Sequence, residues 1–412
     1  MTVRLCAVGV LLGCGLPGLA AAVSPTFSKD VAPILFSRCV ECHRPGEAAP
    51  MPFTSYAEVR PWAKAIKEAV LTRKMPPWLA DPHYGAFRND RRMPEDAVQT
   101  IAAWVDAGAP EGDPKQTPAL PPFETGWRIG KPDAVFDIGT DYDVPAEGVV
   151  AYQYFTVPTN FTEDRWVEAA EVRPGNRAVV HHVLAFIKEP AGGSGRPGDA
   201  GNILVGYAPG ENPLKLMPGT AVLVKAGSSL YFQVHYTPAG KAVKDRSYIG
   251  VKFAKEAPRS RAIRGMAINP AFRIPPNDGN YEVRASYTAN QDITLDSLMP
   301  HMHLRGKDFQ YTVVYPDGRK EVILSVPKYD FSWQLMYQLQ SPMVLPKGTR
   351  IDCVAHFDNS ANNRYNPDPG KEVRWGDQTW EEMMIGFFTY TVPNTPVATA
   401  ALPAASHVEV GR

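Results

Sequence analysis

Met299-Pro300-His301-Met302-His303-Leu304-Arg305-Gly306 runs directly into Lys307-Asp308-Phe309-Gln310-Tyr311-Thr312-Val313-Val314-Tyr315 and the turn signal Pro316-Asp317-Gly318. Its composition and the Pro-Asp-Gly that closes it predict a strand ending in a hairpin turn. Residues two apart on a strand share a face, so His301 and His303 are expected to present both imidazoles to one metal ion. Neutral imidazole suits copper and zinc alike. Taken alone, His-x-His is weak evidence, because two ordinary strand histidines give the same pattern.

Two other stretches strengthen the metal reading. Ala178-Val179-Val180-His181-His182-Val183-Leu184-Ala185-Phe186-Ile187 and Tyr231-Phe232-Gln233-Val234-His235-Tyr236 are β-branched and aromatic enough to be strands. Histidines 181, 182, 235, 301 and 303 therefore all stand in strand-like contexts.

The first residues read as a secretory signal peptide over 1–22: Arg4, an apolar run from Leu5 to Leu16, a break at Pro17-Gly18, then Ala20-Ala21-Ala22. The run is too short to span a membrane. Leu11-Leu12-Gly13 before Cys14 offers lipoprotein anchoring as the weaker alternative. No later apolar run is long enough to span, and the formal net charge is zero. Neither nucleic acid nor an anionic membrane surface is implied as a partner, and the expected location is periplasmic or secreted. If Cys6 and Cys14 leave with the signal peptide, Cys39, Cys42 and Cys353 remain, too few for a disulfide framework.

Cys39-Val40-Glu41-Cys42-His43 is Cys-x-x-Cys-His, the attachment motif of covalently bound c-type haem, in which His43 becomes an axial iron ligand. A redox dithiol or a zinc half-site competes, but no second Cys/His pair lies nearby to complete a zinc site. Residues 23–112 resemble a small class I cytochrome c. A helix over 29–39 leads into the motif, 56–72 carries a helical apolar period, and 94–107 forms a last helix ended by Gly108. Met75, in Met75-Pro76-Pro77, looks like that family's sixth ligand, with Met93 the competitor. Methionine opposite histidine raises the haem potential, which suits an electron carrier.

Residues 109–123 are proline-rich and read as an extended, semi-rigid connector, with the linker expected over 113–134. Beyond it, many short apolar runs alternate with turn signals such as Met217-Pro218-Gly219 and Leu345-Pro346-Lys347-Gly348, the spacing of sandwiches and jelly rolls. The expected architecture is multidomain: a small all-α cytochrome c domain followed by two all-β jelly-roll domains, 135–262 and 263–393. Residues 191–201 read as a glycine-rich mobile loop and 394–412 as a disordered tail carrying His407.

The order His181-His182, His235, His301-x-His303 and then Glu382-Met383 resembles the copper type II, ascorbate-dependent monooxygenases, the family of peptidylglycine α-hydroxylating monooxygenase and dopamine β-monooxygenase. The resemblance covers roughly residues 136–392. It implies two jelly rolls facing each other across a solvent-filled cleft. His181, His182 and His235 would hold an electron-relay copper, and His301, His303 and Met383 the catalytic, oxygen-binding copper, with Met384 the fallback ligand. A soft thioether favours Cu(I), the state that must meet oxygen. Adjacent His181 and His182 would point to opposite faces of an ideal strand, so one metal takes both only where the strand is twisted or bulged.

Departures from the family pattern bear on substrate. In the peptide-amidating members an arginine stands where this chain has Met299, and an asparagine and a tyrosine stand where it has Ile385 and Phe387. The carboxylate clamp is absent, which argues against peptide amidation and for an apolar or uncharged substrate. Implied partners are O2, a small organic substrate and an external electron donor, a small reductant or redox protein, with the haem passing electrons to the coppers. The rival reading is a non-catalytic haem and copper electron-transfer or copper-binding protein. Cys353 and His356 are read as structural.

Overall fold

The computed structural model describes residues 24–47, 49–123, 126–190, 202–208 and 212–394. The expected signal peptide, the glycine-rich loop and nearly all of the tail lie outside these.

The N-terminal unit is a small helical bundle: α1 (Ala32–Arg38), α2 (Tyr56–Val59), α3 (Ala63–Leu71) and α4 (Glu95–Asp106). In α3 the buried residues Ala63, Ile66 and Val70 recur at helical spacing, as do Val98, Ile101 and Ala102 in α4. Phe27, Leu35 and Trp104 fill the core between them. Gly108, at φ +89°, ends α4 as expected.

The rest is β structure. The first sandwich is built from β1 (Ala134–Asp137), β2 (Gln153–Pro158), β3 (Arg165–Arg173), β4 (Val180–Lys188), β5 (Ile203–Tyr207), β6 (Thr220–Val224), β7 (Ser229–Tyr236) and β8 (Tyr248–Phe253). Its two sheets run β1-β8-β3-β6 and β2-β7-β4-β5. The second comprises β9 (Ser260–Ile268), β10 (Tyr281–Thr288), β11 (Ile293–His301), β12 (Gly306–Val314), β13 (Lys320–Val326), β14 (Tyr337–Leu345), β15 (Arg350–Phe357) and β16 (Ile385–Pro393). Its sheets run β9-β16-β11-β14 and β10-β15-β12-β13, the same order counted from its own first strand. Two four-stranded sheets in this order form a jelly roll. Each sandwich buries its own apolar core.

The sandwiches are not separate. β6 and β9 pair in parallel through Thr220 with Ser260 and Ala221 with Arg261, so one nine-stranded sheet runs through both. β9 straddles the boundary expected at 262/263, which places the joint before Ser260.

The opening stretch differs from its sequence reading. β11 ends at His301, residues 302–305 turn, and β12 begins at Gly306 in the opposite sheet. His301 and His303 are thus not two positions of one strand. Proline at 300 and the close fit of Gly306 against Met302 and Tyr329 mark the corner. The hairpin beyond does form, closed by Gly318 N–H to the Tyr315 carbonyl.

The helical unit also touches the second sandwich outside the connector. Residues 78–89 reach onto the second sandwich, where Trp78 and Phe87 join its core and lie 4.9 and 5.5 Å from the Tyr337 ring. Arg88 donates to both Asp296 carboxylate oxygens at 3.1 and 3.0 Å, and the Gln340 N–H donates to the Ala86 carbonyl. This arm covers β14, the edge of its sheet, a protection such edges require. On the other side Glu41 and Glu47 pair with Arg128 and Arg177 of the first β region. Phe87→Ala should cost about 3 kcal/mol and raise amide hydrogen exchange in residues 337–345, read by mass spectrometry.

Candidate metal centres

β7 alternates without a break: Leu230, Phe232, Val234 and Tyr236 face the core, while Tyr231, Gln233 and His235 face outward. The neighbouring β4 carries the histidine pair. Val180 pairs with Tyr236 and His182 with His235, and the register shifts between them, leaving His181 as the extra residue of a bulge. The bulge brings both side chains to the outer face, the geometry a single metal needs. One ring nitrogen from each of His181, His182 and His235 lies within 4.8 Å of the other two.

Their electrostatics suit a cation. His181 Nδ1 and His182 Nδ1 face each other at 3.2 Å, and His235 Nδ1 is buried with no hydrogen-bond partner. A buried, unpaired polar nitrogen is costly unless something else occupies it. Burial and then the neighbouring His181 push His235 down to about 4. Burial likewise holds His182 well below the usual imidazole range, reinforced by His235. All three are neutral at neutral pH, with lone pairs available.

The second set stands on the outer face of the second sandwich. His301 and His303 have ring centroids 5.2 Å apart. His301 Nδ1 donates to Gln334 Oε1 at 2.9 Å, an orientation fixed because the Gln334 amide nitrogen donates to the Phe331 carbonyl. His303 Nδ1 donates to the Glu381 carbonyl at 3.2 Å. In both rings Nε2 is left as the lone-pair nitrogen. Burial, then His301, pushes His303 down to about 3.

Met383 lines the cleft with these rings, whereas Met384 is fully buried in the sandwich core. The structure therefore brings Met383, not the fallback Met384, to the histidines. Gln334 has no sequence signal, and Glu382 enters the sequence reading only as the neighbour of Met383. Glu382 is fully buried, and its two oxygens accept the backbone N–H of His303 at 2.8 Å and of Arg305 at 2.6 Å. Burial pushes its carboxyl up to about 8. The signal was present as an acid beside two methionines ahead of an apolar strand, a place where an exposed carboxylate is not expected.

His182 of the first set and His301, His303 and Met383 of the second line one cleft of about 320 Å³ between the two sandwiches, large enough for a small organic ligand. Beside Met383 its wall is an apolar cluster of Met299, Ile385, Phe387, Trp375 and, from the first sandwich, Ile203.

In the helical unit Cys39 and Cys42 form no disulfide, and His43 stacks on Phe53 at 4.2 Å. His43 Nδ1 donates to the Met51 carbonyl at 3.0 Å, again leaving Nε2 with its lone pair. Met93 is 4% exposed within the core that Cys39 packs against, whereas Met75 is half-buried on the turn after α3. Cys42 lines a small polar cavity of about 30 Å³ shared with Glu47, Arg177 and Tyr207. Cys353 is a free, fully buried thiol and His356 pairs with Asp308 at 2.6 Å, both as expected of structural residues.

No family model matches the chain, and no curated protein matches it. Similar solved structures are viral capsid proteins. The major capsid protein P2 of bacteriophage PM2 is 10% identical, with 63% of this chain and 99% of that one covered at a TM-score of 0.28. The infectious bursal disease virus Gx strain structure is 8% identical over 65% of this chain and 74% of that one, at 0.19. TM-scores this low support no conclusion about this chain. Among the described residues no helix is long and apolar enough to cross a membrane.

Glu382→Ala should destabilise the protein by about 3 kcal/mol, because it strands two buried N–H donors. Urea unfolding followed by tryptophan fluorescence measures the loss.

Proposed function

We propose that the chain is an exported copper monooxygenase that hydroxylates a C–H bond of a small apolar or uncharged molecule, with electrons entering through a c-type haem on the helical unit. The observation that carries this reading is that the His181, His182 and His235 cluster reaches, through His182, the same cleft that His301, His303 and Met383 line from the other jelly roll.

The donor sets fit copper. The first offers three neutral imidazoles, one with an orphaned buried nitrogen, and the second offers two Nε2 lone pairs beside a thioether, a combination that favours Cu(I). Bound at these sets, copper would supply O2 reduction and C–H activation, for the overall conversion of RH, O2, two electrons and two protons to ROH and H2O. Cys39, Cys42 and His43 fit a c-type haem, which would supply single electrons, with Met75 the second ligand and Met93 its competitor.

The chain's own residues do the rest. Gln334 and the Glu381 carbonyl hold His301 and His303 in the tautomer that presents Nε2. Met299, Ile385 and Phe387 form the apolar wall that excludes water and receives the substrate. These are the three positions where the peptide-amidating relatives in the resemblance carry polar groups, which supports an uncharged substrate over a peptide carboxylate.

Elemental analysis after anaerobic copper loading should give two coppers per chain, and the pyridine haemochrome one haem. One copper or none would remove the two-centre reading. In stopped flow, ferrous haem should reoxidise when Cu(II) is present and O2 absent; a haem that stays reduced would sink the electron route. Met383→Ala should abolish turnover while first-set copper remains visible by EPR.

A further inference from the structure

The loop between β13 and β14 belongs to the second sandwich but touches both histidine sets. Phe331 lies nearly parallel to the His181 ring, with centroids 5.9 Å apart and planes at 16°. The same ring meets His303 edge-on, at 5.9 Å and 78°. Two contacts to one ring put His181 and His303 within about 12 Å of each other.

The loop is anchored so that this ring is held in place. The Tyr329 hydroxyl accepts from the Met302 N–H at 3.1 Å and donates to the Met302 carbonyl at 2.8 Å, gripping the residue between His301 and His303. Its N–H donates to the Lys307 carbonyl. Gln334 joins the Phe331 carbonyl to His301. Asp330 caps the turn through the Ser332 N–H at 2.9 Å. Residues 329–334 thus form a rigid extension of the second set that reaches the first.

We propose that Phe331 is a positioning residue shared by the two sets: it sets the ring planes of His181 and His303 together, so that metal binding at one set is felt at the other. The aromatic contacts themselves are geometry, with stacked and edge-on pairs both favourable; the metal coupling rests on the copper reading above. A side chain that merely filled space would be replaced by leucine without moving distant rings. A shared orienting ring would not.

The test uses the full-length haem-loaded protein and long-range proton–nitrogen NMR of the histidine rings. Without copper, Phe331→Leu should change the tautomer-dependent cross-peak pattern of His181 and His303 together, a change that loss of the Phe331 ring current alone does not produce, and Phe331→Tyr, which keeps the ring, should restore both. An unmoved His181 overturns the positioning role. In a His301→Ala background, one equivalent of Cu(I) at the first set should shift the His303 signal, and that response should be lost in Phe331→Leu. A response that persists without the ring overturns the coupling. Failure of Cu(I) to bind the first set at all would overturn the copper reading and the coupling with it, while the metal-free spectra still decide whether Phe331 orients both rings. Should Phe331→Leu fail to fold, Phe331→Met removes the ring with a more adaptable side chain.

Discussion

The buried carboxylate of Glu382 ties the corner carrying His303 to the segment carrying Met383. Its oxygens accept from two backbone amides of the 301–305 turn, and the same turn is braced by Arg305 donating to Asn359 at 2.8 Å and to the Trp380 carbonyl at 2.9 Å. Burying a carboxyl group is expensive unless its lone pairs are filled, and here two short N–H contacts fill them while burial still raises the group toward its neutral form. With the corner fixed, His301 can finish one strand and His303 can sit beyond it, yet both rings open on the same side. Without it the turn would have no reason to hold two imidazoles 5.2 Å apart.

Much of this was legible from sequence, though for partly different reasons. The helices around Cys39-x-x-Cys42-His43 follow apolar spacing, and β7 follows strict alternation, so local periodicity sufficed for both. The His181-His182 pair required a bulge, and the bulge is there. His301 and His303 were grouped correctly but by a wrong argument, since a two-residue period cannot see a corner between sheets. The roles of Phe331, Gln334 and Glu382 arise from contacts 28, 33 and 79 residues away in sequence, and only Glu382, an acid beside two methionines, carries a local hint of its own.

The first sandwich solves the same problem differently. Its three histidines stand on two adjacent strands of one sheet, so ladder pairing and the bulge at His181 align them, and the outward face of β7 supplies the third without any buried acid. The second set draws on a strand end, a turn and a loop, and therefore needs the hydrogen-bond scaffold of Glu382, Gln334 and Tyr329. The shared nine-stranded sheet then fixes how the two faces stand to each other.

The arm over β14 has a consequence for the order in which the chain comes together. Arg88 meets partners 208 and 251 residues further along, so residues 78–89 leave synthesis long before the edge they cover exists. Trp78 and Phe87 belong to the core of the second sandwich and not to that of the helical unit, so their burial waits on residues near the C-terminus. Contacts this distant form late, since loop closure must precede any gain from them. The N-terminal unit is thereby a waiting template: it acquires its final surroundings only when the C-terminal sandwich folds onto it, and that sandwich finishes its edge with residues made near the start of the chain.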